Sequence, residues 1–297
     1  MLIALLVPII LATLMFTLVL AKSAIEKKAV PSLESLGVGA VVNFFDTLGI
    51  GSFAPTTAWL KFRRLIPDRL IPPTILVGLT GGAVIESIIF LNRLGVRVDP
   101  ILLVGCVLAC LMGGLIGAPL VHKTRVWIVQ MIVAIGLLAA AIAYGATNLH
   151  MFPGGGTASS LPPTLTIIAI IANFFFGVLL NYGVGNYAPT LVILSLMGMD
   201  PRLCFPIMAG AAALMGAGAS IRHIKTGNLD LRIVVGLTIG GIPAVLFAAY
   251  IVVTMPIELL RWLVLVVVLY AATIMLRASL AGRREHDAEP ATAPIAG

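Results

Sequence analysis

The sequence predicts an all-α polytopic membrane protein built as an inverted repeat, with one extra transmembrane helix at its N-terminus. Three observations lead to this fold class. Of the 297 residues, 60% are hydrophobic and only 10% are charged, whereas soluble domains carry about 25% charged residues. Apolar runs long enough to cross a bilayer recur along the chain. A short motif of glycine and proline also occurs twice, once near the start of each half.

The first apolar run, 2–21, has no basic residue before it and no clean small-residue cleavage site after it. Because a signal peptide has a basic n-region and a shorter apolar core, we expect a retained helix. Residues 1–35 thus form an extra helix with a cytoplasmic connector, and the polar tail 278–297 is expected to be disordered and cytoplasmic. Eight further apolar segments are predicted, at 36–61, 71–92, 101–121, 126–146, 162–198, 204–222, 232–253 and 257–276.

An internal repeat organises these segments. The motif Gly-Ile-Gly-Ser-Phe-Ala-Pro-Thr at 49–56 matches Gly-Val-Gly-Asn-Tyr-Ala-Pro-Thr at 183–190. Arg-Leu, Pro, an aspartate and a Gly-Gly pair follow each motif in the same order. Such matched order indicates a duplicated unit. The repeats are predicted at 36–146 and 162–277, joined by the extracytoplasmic connector 147–161, which contains no Lys, Arg, Asp or Glu.

The repeated motif has features that would interrupt a helix. Two glycines around one aliphatic residue favour a break, because glycine adopts backbone conformations closed to other residues. Ser52 and Asn186 are suited to N-cap a new half-helix, and Pro55 and Pro189 fall in its first turn. One break would be read as a plain kink in a packing helix. Two matched breaks, at membrane depth where unwound backbone must line a cavity or be buried, are typical of a transporter site.

The basic residues of the loops choose between two topologies. If all nine apolar segments crossed the membrane, Lys and Arg would divide almost evenly between the two sides. If the two broken segments are re-entrant hairpins, only Arg93, Arg97, Arg202 and Arg261 fall on one side. Because cytoplasmic loops carry the excess of basic residues, the sequence predicts re-entrant hairpins, seven crossings, an outside N-terminus and a cytoplasmic C-terminus. Each half is then one hairpin plus three helices, and the odd number of crossings inverts the second half.

The tips of two such hairpins would meet near the midplane. A helix N-terminus has free N–H donors and about half a positive charge, so two of them facing one cavity favour a small anion. A sodium or proton pathway at the same breaks is the rival interpretation. The candidate substrate-binding residues are Asn43, Gly49, Gly51, Ser52, Thr56, Asn181, Gly183, Gly185, Asn186, Tyr187 and Thr190, with Ser87 and Ser220 one helix further on.

Two carboxylates, Asp46 and Glu86, stand within apolar runs. Charge at membrane depth is costly and by default indicates function, so both are candidates for proton coupling. The second repeat has Leu180 and Ala219 at these places. The alternative is therefore a carboxyl group that is only hydrogen-bonded, or that reaches toward a loop.

Other functional classes find little support. The net charge of +7 comes from Lys and Arg in short loops, where they fix orientation, so a nucleic-acid partner is not expected. The three cysteines have no accompanying histidine spacing for a metal. Protease, hydrolase-elbow and Walker motifs are missing from the sequence. We therefore expect no enzyme activity, no cofactor and no direct ATP coupling.

The chain resembles the sulfite-exporter (TauE/SafE) family of anion permeases. The resemblance covers about 36–277. It rests on the paired Gly-x-Gly-x-x-x-Pro breaks and, in the second repeat, on Lys225 to Arg232, Gly240-Gly241 and the Leu-Leu-Arg start of the last helix. The family pattern commonly has glycine where this chain has Ser52 and Asn186, and Asp46, Glu86 and the first helix are further departures.

The resemblance implies a secondary transporter, expected to export small organic or sulfur-containing anions such as sulfite or sulfonates and to be coupled to protons. Its partners would be the anion, protons and the lipid bilayer of a prokaryotic inner membrane, and a homodimer is a candidate assembly. Two alternatives stay open. One is a passive anion channel using the same site. The other is a non-transporting intramembrane enzyme or assembly factor.

Overall fold

The structure, a computed structural model, describes residues 2–117, 124–149, 151, 156–180, 182 and 184–288. Within these residues every regular element is a helix, apart from one isolated bridge between Ala158 and Met199. The prediction of an all-α polytopic protein is confirmed. The α-helices are α1 Leu2–Glu26, α2 Leu33–Thr47, α3 Phe53–Arg63, α4 Ile71–Arg93, α5 Pro100–Gly117, α6 Val126–Asn148, α7 Pro163–Leu180, α8 Tyr187–Leu196, α9 Phe205–Thr226, α10 Leu231–Thr254 and α11 Ile257–Ala288.

Eight helices in the described part of the chain are long and apolar enough to cross a membrane. Seven of them are the predicted crossings, and the eighth is α7, whose 18 residues span about 27 Å at 1.5 Å per residue. Length alone therefore does not distinguish a crossing from the arm of a hairpin, and the count of seven stays a prediction. Helix α11 continues to Ala288, beyond the predicted segment end at 276, and residues 289–297 of the predicted tail lie outside the described residues.

The two ends of each broken segment lie next to one another. In hairpin 1, which comprises α2, the break and α3, the side chain of Arg63 at the end of α3 donates two hydrogen bonds to Glu34 at the start of α2. In hairpin 2, which comprises α7, the break and α8, Ala158 just before α7 pairs with the backbone of Gly198 and Asp200 just after α8. The two ends of each hairpin are thus held together at its base.

Each hairpin packs mainly on a helix of the other half. Helix α2 lies along α10, where a Cβ at Gly39 would collide with the backbone of Leu237 and Phe44 stacks on Phe247 with ring centroids 6.2 Å apart. Because the contact positions rise together along both helices, α2 and α10 run parallel. Glycine allows this close approach of two backbones, which is how helices pack in membranes.

The second hairpin repeats this arrangement. Helix α7 lies along α5, with Ile170 next to Gly105 and with Gly177 against the backbone carbonyl of Cys110. The contact positions again rise together, so α5 and α7 are parallel. In the duplication α2 corresponds to α7, and α10 corresponds to α5. The contact of α2 with α10 and the contact of α7 with α5 are therefore equivalent.

Corresponding helices of the two repeats run in opposite directions. Between α4 and α9, Thr80 and Ser220 share a hydrogen bond of 2.9 Å, while Leu91 lies next to Gly210. Between α6 and α11, the Ser279 hydroxyl donates to the Trp127 carbonyl at 2.6 Å, at the start of α6. At the other end of α6, the Asn148 amide donates to the Arg261 carbonyl at 3.2 Å. This antiparallel pairing is the one expected of an inverted repeat.

Candidate functional site at the hairpin tips

The predicted break of the first motif is present. Helix α2 ends at Thr47 and α3 begins at Phe53. Gly49 and Gly51 between them have φ of 93° and 88°, a region that residues with a Cβ rarely adopt. Glycine is therefore strongly favoured at both positions.

The second motif also interrupts its helix, but with a different backbone conformation at its second glycine. Helix α7 ends at Leu180 and α8 begins at Tyr187. Gly185 does not have a positive φ, so its conformation is open to other residues. Asn181 and Gly183, both candidate site residues, lie outside the described residues.

Ser52 and Asn186 stand at the N-cap positions of the two half-helices, but neither side chain caps its helix. The prediction of side-chain capping is therefore wrong, although the position is right. The Asn186 amide donates instead to the Met208 carbonyl of α9 at 3.3 Å, because it is drawn into the contact between hairpin 2 and α9. The buried Ser52 hydroxyl has no hydrogen-bond partner. The first-turn N–H groups of both half-helices are thus not capped by these side chains.

The two carboxylates come together between the tips. The Tyr187 hydroxyl, at the start of α8, donates to a Glu86 carboxylate oxygen at 3.1 Å. Asp46 is close enough to Glu86 for direct electrostatic interaction, and it faces the side chain and backbone amide of Ser52. Thr47 also lies beside Glu86. Both hairpins and α4 therefore contribute to one polar cluster.

The members of this cluster differ in exposure. Glu86 is 1% exposed and Tyr187 is 7% exposed, whereas Asp46 is only partly buried. Asp46 is thus the carboxylate that reaches the edge of the cluster, and Glu86 lies behind it.

Open space borders both tips. A Cβ built on Gly51 or on Gly185 would meet no atom within 4 Å. Gly49 differs, because its Cβ would contact Leu191 of α8 and Val267 of α11 at 3.7 Å. Gly49 therefore packs hairpin 1 against the second half, while Gly51 and Gly185 have room for an added methyl group.

Several predicted site residues are used in packing. The Asn43 amide fits against Gly82 of α4 and Gly241 of α10 and donates to the Gly39 carbonyl at 2.8 Å. Thr56 donates to the Ser52 carbonyl at 2.7 Å. These contacts fix hairpin 1 in place and do not bring Asn43 or Thr56 into the carboxylate cluster.

The second half shows the same division of roles. Thr190 donates to the Asn173 side chain at 3.2 Å, which ties the two arms of hairpin 2 together. Ser220 is engaged with Thr80 in the contact between α4 and α9. The buried Ser87 hydroxyl has no hydrogen-bond partner. Asn173 was missed by the sequence reasoning, although a buried amide in an apolar helix was the available signal.

The grooves on the outer surface of the helices are separate from this cluster. A groove of about 490 Å³ lies between α2 and α10 and is lined by apolar residues such as Phe44 and Phe247. Such a lining is suited to lipid chains and not to an anion. Among the described residues no group of three or more His, Cys, Asp or Glu side chains is placed to hold a metal ion.

Comparison with known families agrees with the architecture. The family model "Sulfite exporter TauE/SafE" matches residues 165–297, a little under half of the chain, beginning within α7. No curated protein and no solved structure matches the chain. The resemblance predicted from the sequence is confirmed over this range: the chain is a multi-span, all-helical membrane protein whose second half carries the pattern of the sulfite exporter TauE/SafE family.

Proposed function

We propose that this protein is a proton-coupled secondary transporter of small organic or sulfur-containing anions such as sulfite or sulfonates, and that it works as an exporter. The observation that carries the proposal is the convergence of two matched helix breaks on one carboxylate cluster, joined by the hydrogen bond from Tyr187 to Glu86. Binding sites of secondary transporters are commonly formed by paired broken helices at a repeat interface. The family match over residues 165–297 supports the same class.

The proposed topology is an inverted repeat with two re-entrant hairpins in a prokaryotic inner membrane, N-terminus outside. Three features support it: the closed hairpin bases, the antiparallel packing of α4 with α9, and the concentration of basic residues on one side that re-entrance produces. A cysteine introduced at Gly155 should react with an impermeant thiol reagent added outside intact cells. Labelling of that cysteine from the cytoplasm alone would contradict the topology.

The proposed anion site lies between the starts of α3 and α8. The uncapped first turns supply N–H donors and the positive ends of two helix dipoles. The two ends are not equivalent. Asp46 already faces the amide of Ser52, whereas the equivalent position beside α8 is Leu180. An incoming anion therefore meets an unoccupied helix end at α8 and competes with a carboxylate at α3.

This asymmetry gives a route to proton coupling. Asp46 and Glu86 lie close together in a poorly hydrated site, where two negative charges repel each other strongly. We expect the pair to hold a proton when an anion binds, because a third negative charge would raise the repulsion further. Anion and proton would then move together as the tips open to alternate sides, and export would be driven by the anion's own gradient and by the inside-negative membrane potential acting on the remaining negative charge.

The test is transport in proteoliposomes. Purified protein should drive sulfite accumulation when a pH gradient is imposed, acid on the side from which sulfite enters, and the accumulation should collapse on adding a protonophore. A control with Gly185→Trp protein, inserted at the same density, should show no accumulation. Sulfite movement that only follows its own gradient would identify a passive channel. No movement of sulfite or of any sulfonate tested would reject the transport function.

A further inference from the structure

A second set of buried polar atoms lies away from the hairpin tips, at the end of the bundle where α6 ends and α11 begins. The hydroxyls of Tyr144 and Ser195, Oδ1 of Asn148 and Nε of Arg202 are all buried, and none has a hydrogen-bond partner. Tyr144 is 1% exposed and Ser195 is 2% exposed. Native proteins leave few buried polar groups unsatisfied, and each costs about 1–3 kcal/mol.

The end of α6 from the first half and elements of the second half bring these atoms together. Tyr144 and Asn148 are one turn apart on α6, and the Asn148 amide donates to the Arg261 carbonyl of α11 at 3.2 Å. Ser195, near the end of α8, lies beside the Tyr144 hydroxyl. Arg202 follows α8 in a short 3-10 helix, and its Nη2 donates to the Met255 carbonyl at 2.8 Å, just before α11.

The charges around this cluster favour an anion. The Arg261 guanidinium is near enough to Tyr144 to act on it electrostatically, and so is the carboxylate of Asp200. Asp200 is already engaged as the cap of the 3-10 helix, where it accepts from the Arg202 amide at 2.9 Å. Glu258, in the first turn of α11, is exposed to the surroundings. Nε of Arg202, the two hydroxyls and the N-terminal end of α11 remain available as donors, and the Arg261 guanidinium adds positive charge nearby.

The cluster is connected to the hairpin tips by a single short helix. Ser195 lies eight positions after Tyr187 on α8, a rise of about 12 Å. Tyr187 is at the carboxylate cluster and Ser195 is at the other end of the same half-helix. The connector residue Ala158 pairs with the chain next to Arg202, through the Asp200 backbone. The cluster thus lies next to the connector, on the side of the membrane that the distribution of loop charges predicts to be outside.

We propose that Tyr144, Ser195, Arg202 and Arg261 form a second binding site for a small oxyanion, separate from the site between the tips. Nε of Arg202 and the two hydroxyls donate to the anion oxygens, and Arg261 supplies charge. Oδ1 of Asn148 accepts from a protonated oxygen of the ligand, as in hydrogensulfite. The site holds the anion at the outer end of α8, before or after its passage along the tips.

The test measures anion binding to the purified full-length protein by calorimetry, with sodium sulfite handled under nitrogen, sodium sulfate, and sodium chloride at equal ionic strength. Tyr144→Phe and Ser195→Ala each remove only an unpartnered hydroxyl, so without ligand both variants should be at least as stable as wild type, and a purely structural role predicts unchanged binding. We expect oxyanion affinity at this site to be weaker by roughly tenfold, the loss of one hydrogen bond to a charged group. Arg69→Gln is the matched control, because Arg69 is the repeat equivalent of Arg202 and is exposed.

A Gly185→Trp background separates this site from the one between the tips. Binding that persists in Gly185→Trp and weakens when Tyr144→Phe is added supports the second site. If Gly185→Trp alone abolishes all binding, the second site is refuted and the proposed transport site stands. If Tyr144→Phe abolishes all wild-type binding while Gly185→Trp does not, the second site stands and the site between the tips is refuted.

The oxyanion has two sources, a soluble anion or the phosphate of a lipid headgroup. Repeating the titration with added phosphatidylglycerol distinguishes them. Competition by the lipid identifies a headgroup site, and titration unaffected by the lipid identifies a site for soluble anions. An affinity equal in wild type, Tyr144→Phe and Ser195→Ala, for lipid and for sulfite alike, would overturn the proposal.

Discussion

The Tyr187 hydroxyl and the Glu86 carboxylate join the two halves of the protein at its centre, through a buried hydrogen bond of 3.1 Å. Tyr187 opens the second half-helix, and Glu86 lies in the middle of the first helix after hairpin 1. Any opening between the tip of hairpin 2 and α4 must break this bond. We therefore expect the protonation state of Glu86 and the position of the tip of hairpin 2 to depend on each other.

Tyr187→Phe should slow sulfite transport while leaving the protein folded. A hydrogen bond to a charged group contributes about 1.5–3 kcal/mol, so we expect a loss of at least roughly tenfold in rate if the bond forms in the transported state. Proteoliposome flux at fixed protein density measures it. Tyr250→Phe, at a position 69% exposed, is the control. Equal flux in wild type and Tyr187→Phe would show that the bond has no part in the cycle.

Glu86→Gln and Asp46→Asn should separate transport from the proton gradient. Because each change removes a site for the proton but keeps its shape, we expect gradient-driven accumulation to fall by roughly tenfold or more, while exchange of sulfite for sulfite persists. Both fluxes can be measured in the same vesicles. Glu258→Gln, at an exposed position, should leave both unchanged. An unaltered pH dependence in the two buried-site variants would rule out the relay.

Side chains of increasing size at Gly185 should test whether substrate passes through the open space beside hairpin 2. Gly185→Ala adds a methyl group where there is neither a positive φ nor a neighbour within 4 Å, so stability should hold and transport should change little. Gly185→Leu should block transport without unfolding the protein. Gly136→Leu on α6, also with nothing within 4 Å, is the control for added bulk. Full transport by Gly185→Leu would show that substrate does not pass this position.

Gly51→Ala should behave differently from Gly185→Ala, although both positions face open space. The φ of 88° at Gly51 costs an L-residue about 1–2 kcal/mol. We therefore expect a lower midpoint of thermal unfolding for Gly51→Ala than for Gly185→Ala, measured with a thiol-reactive dye in detergent. Equal midpoints would indicate that Gly51 does not have a positive φ in the protein in solution.

The salt bridge at the base of hairpin 1 should make stability depend on pH. The hydrogen bonds from Arg63 and Trp59 hold the pKa of Glu34 below its usual value, which is about 4.3. The pair therefore stabilises the fold fully above the unfolded pKa, and its contribution is lost as the pH falls through the lowered folded pKa. Glu34→Gln should unfold at a lower temperature than wild type at pH 7, and the difference should shrink as the pH falls below about 4.3 and vanish below the lowered folded pKa. Because both groups are exposed, the effect is small, and Arg64→Gln serves as a control for lost surface charge.

Much of the hairpin architecture could be predicted from the sequence because its signals are local. Gly49, Gly51 and Pro55 determine the break by their own backbone preferences, and the repeat makes the second break visible. The capping role of Asn186 could not be judged in this way, since the Met208 carbonyl that takes its amide lies on α9. The packing of Asn43 against Gly82 and Gly241 was also unpredictable, because it depends on how α4 and α10 meet. The cluster around Tyr144 depends on three elements that are distant in sequence.

The pairing of each hairpin with a helix of the opposite half has a consequence for how the protein is made. Hairpin 1 leaves the ribosome early, but its partner α10 is synthesised only near the end of the chain. Until then, the face of α2 that contains Gly39 has no helix to pack against. Neither half is then an independent folding unit. The first half should be degraded when it is expressed alone, and co-expression of the second half as a separate polypeptide should rescue it.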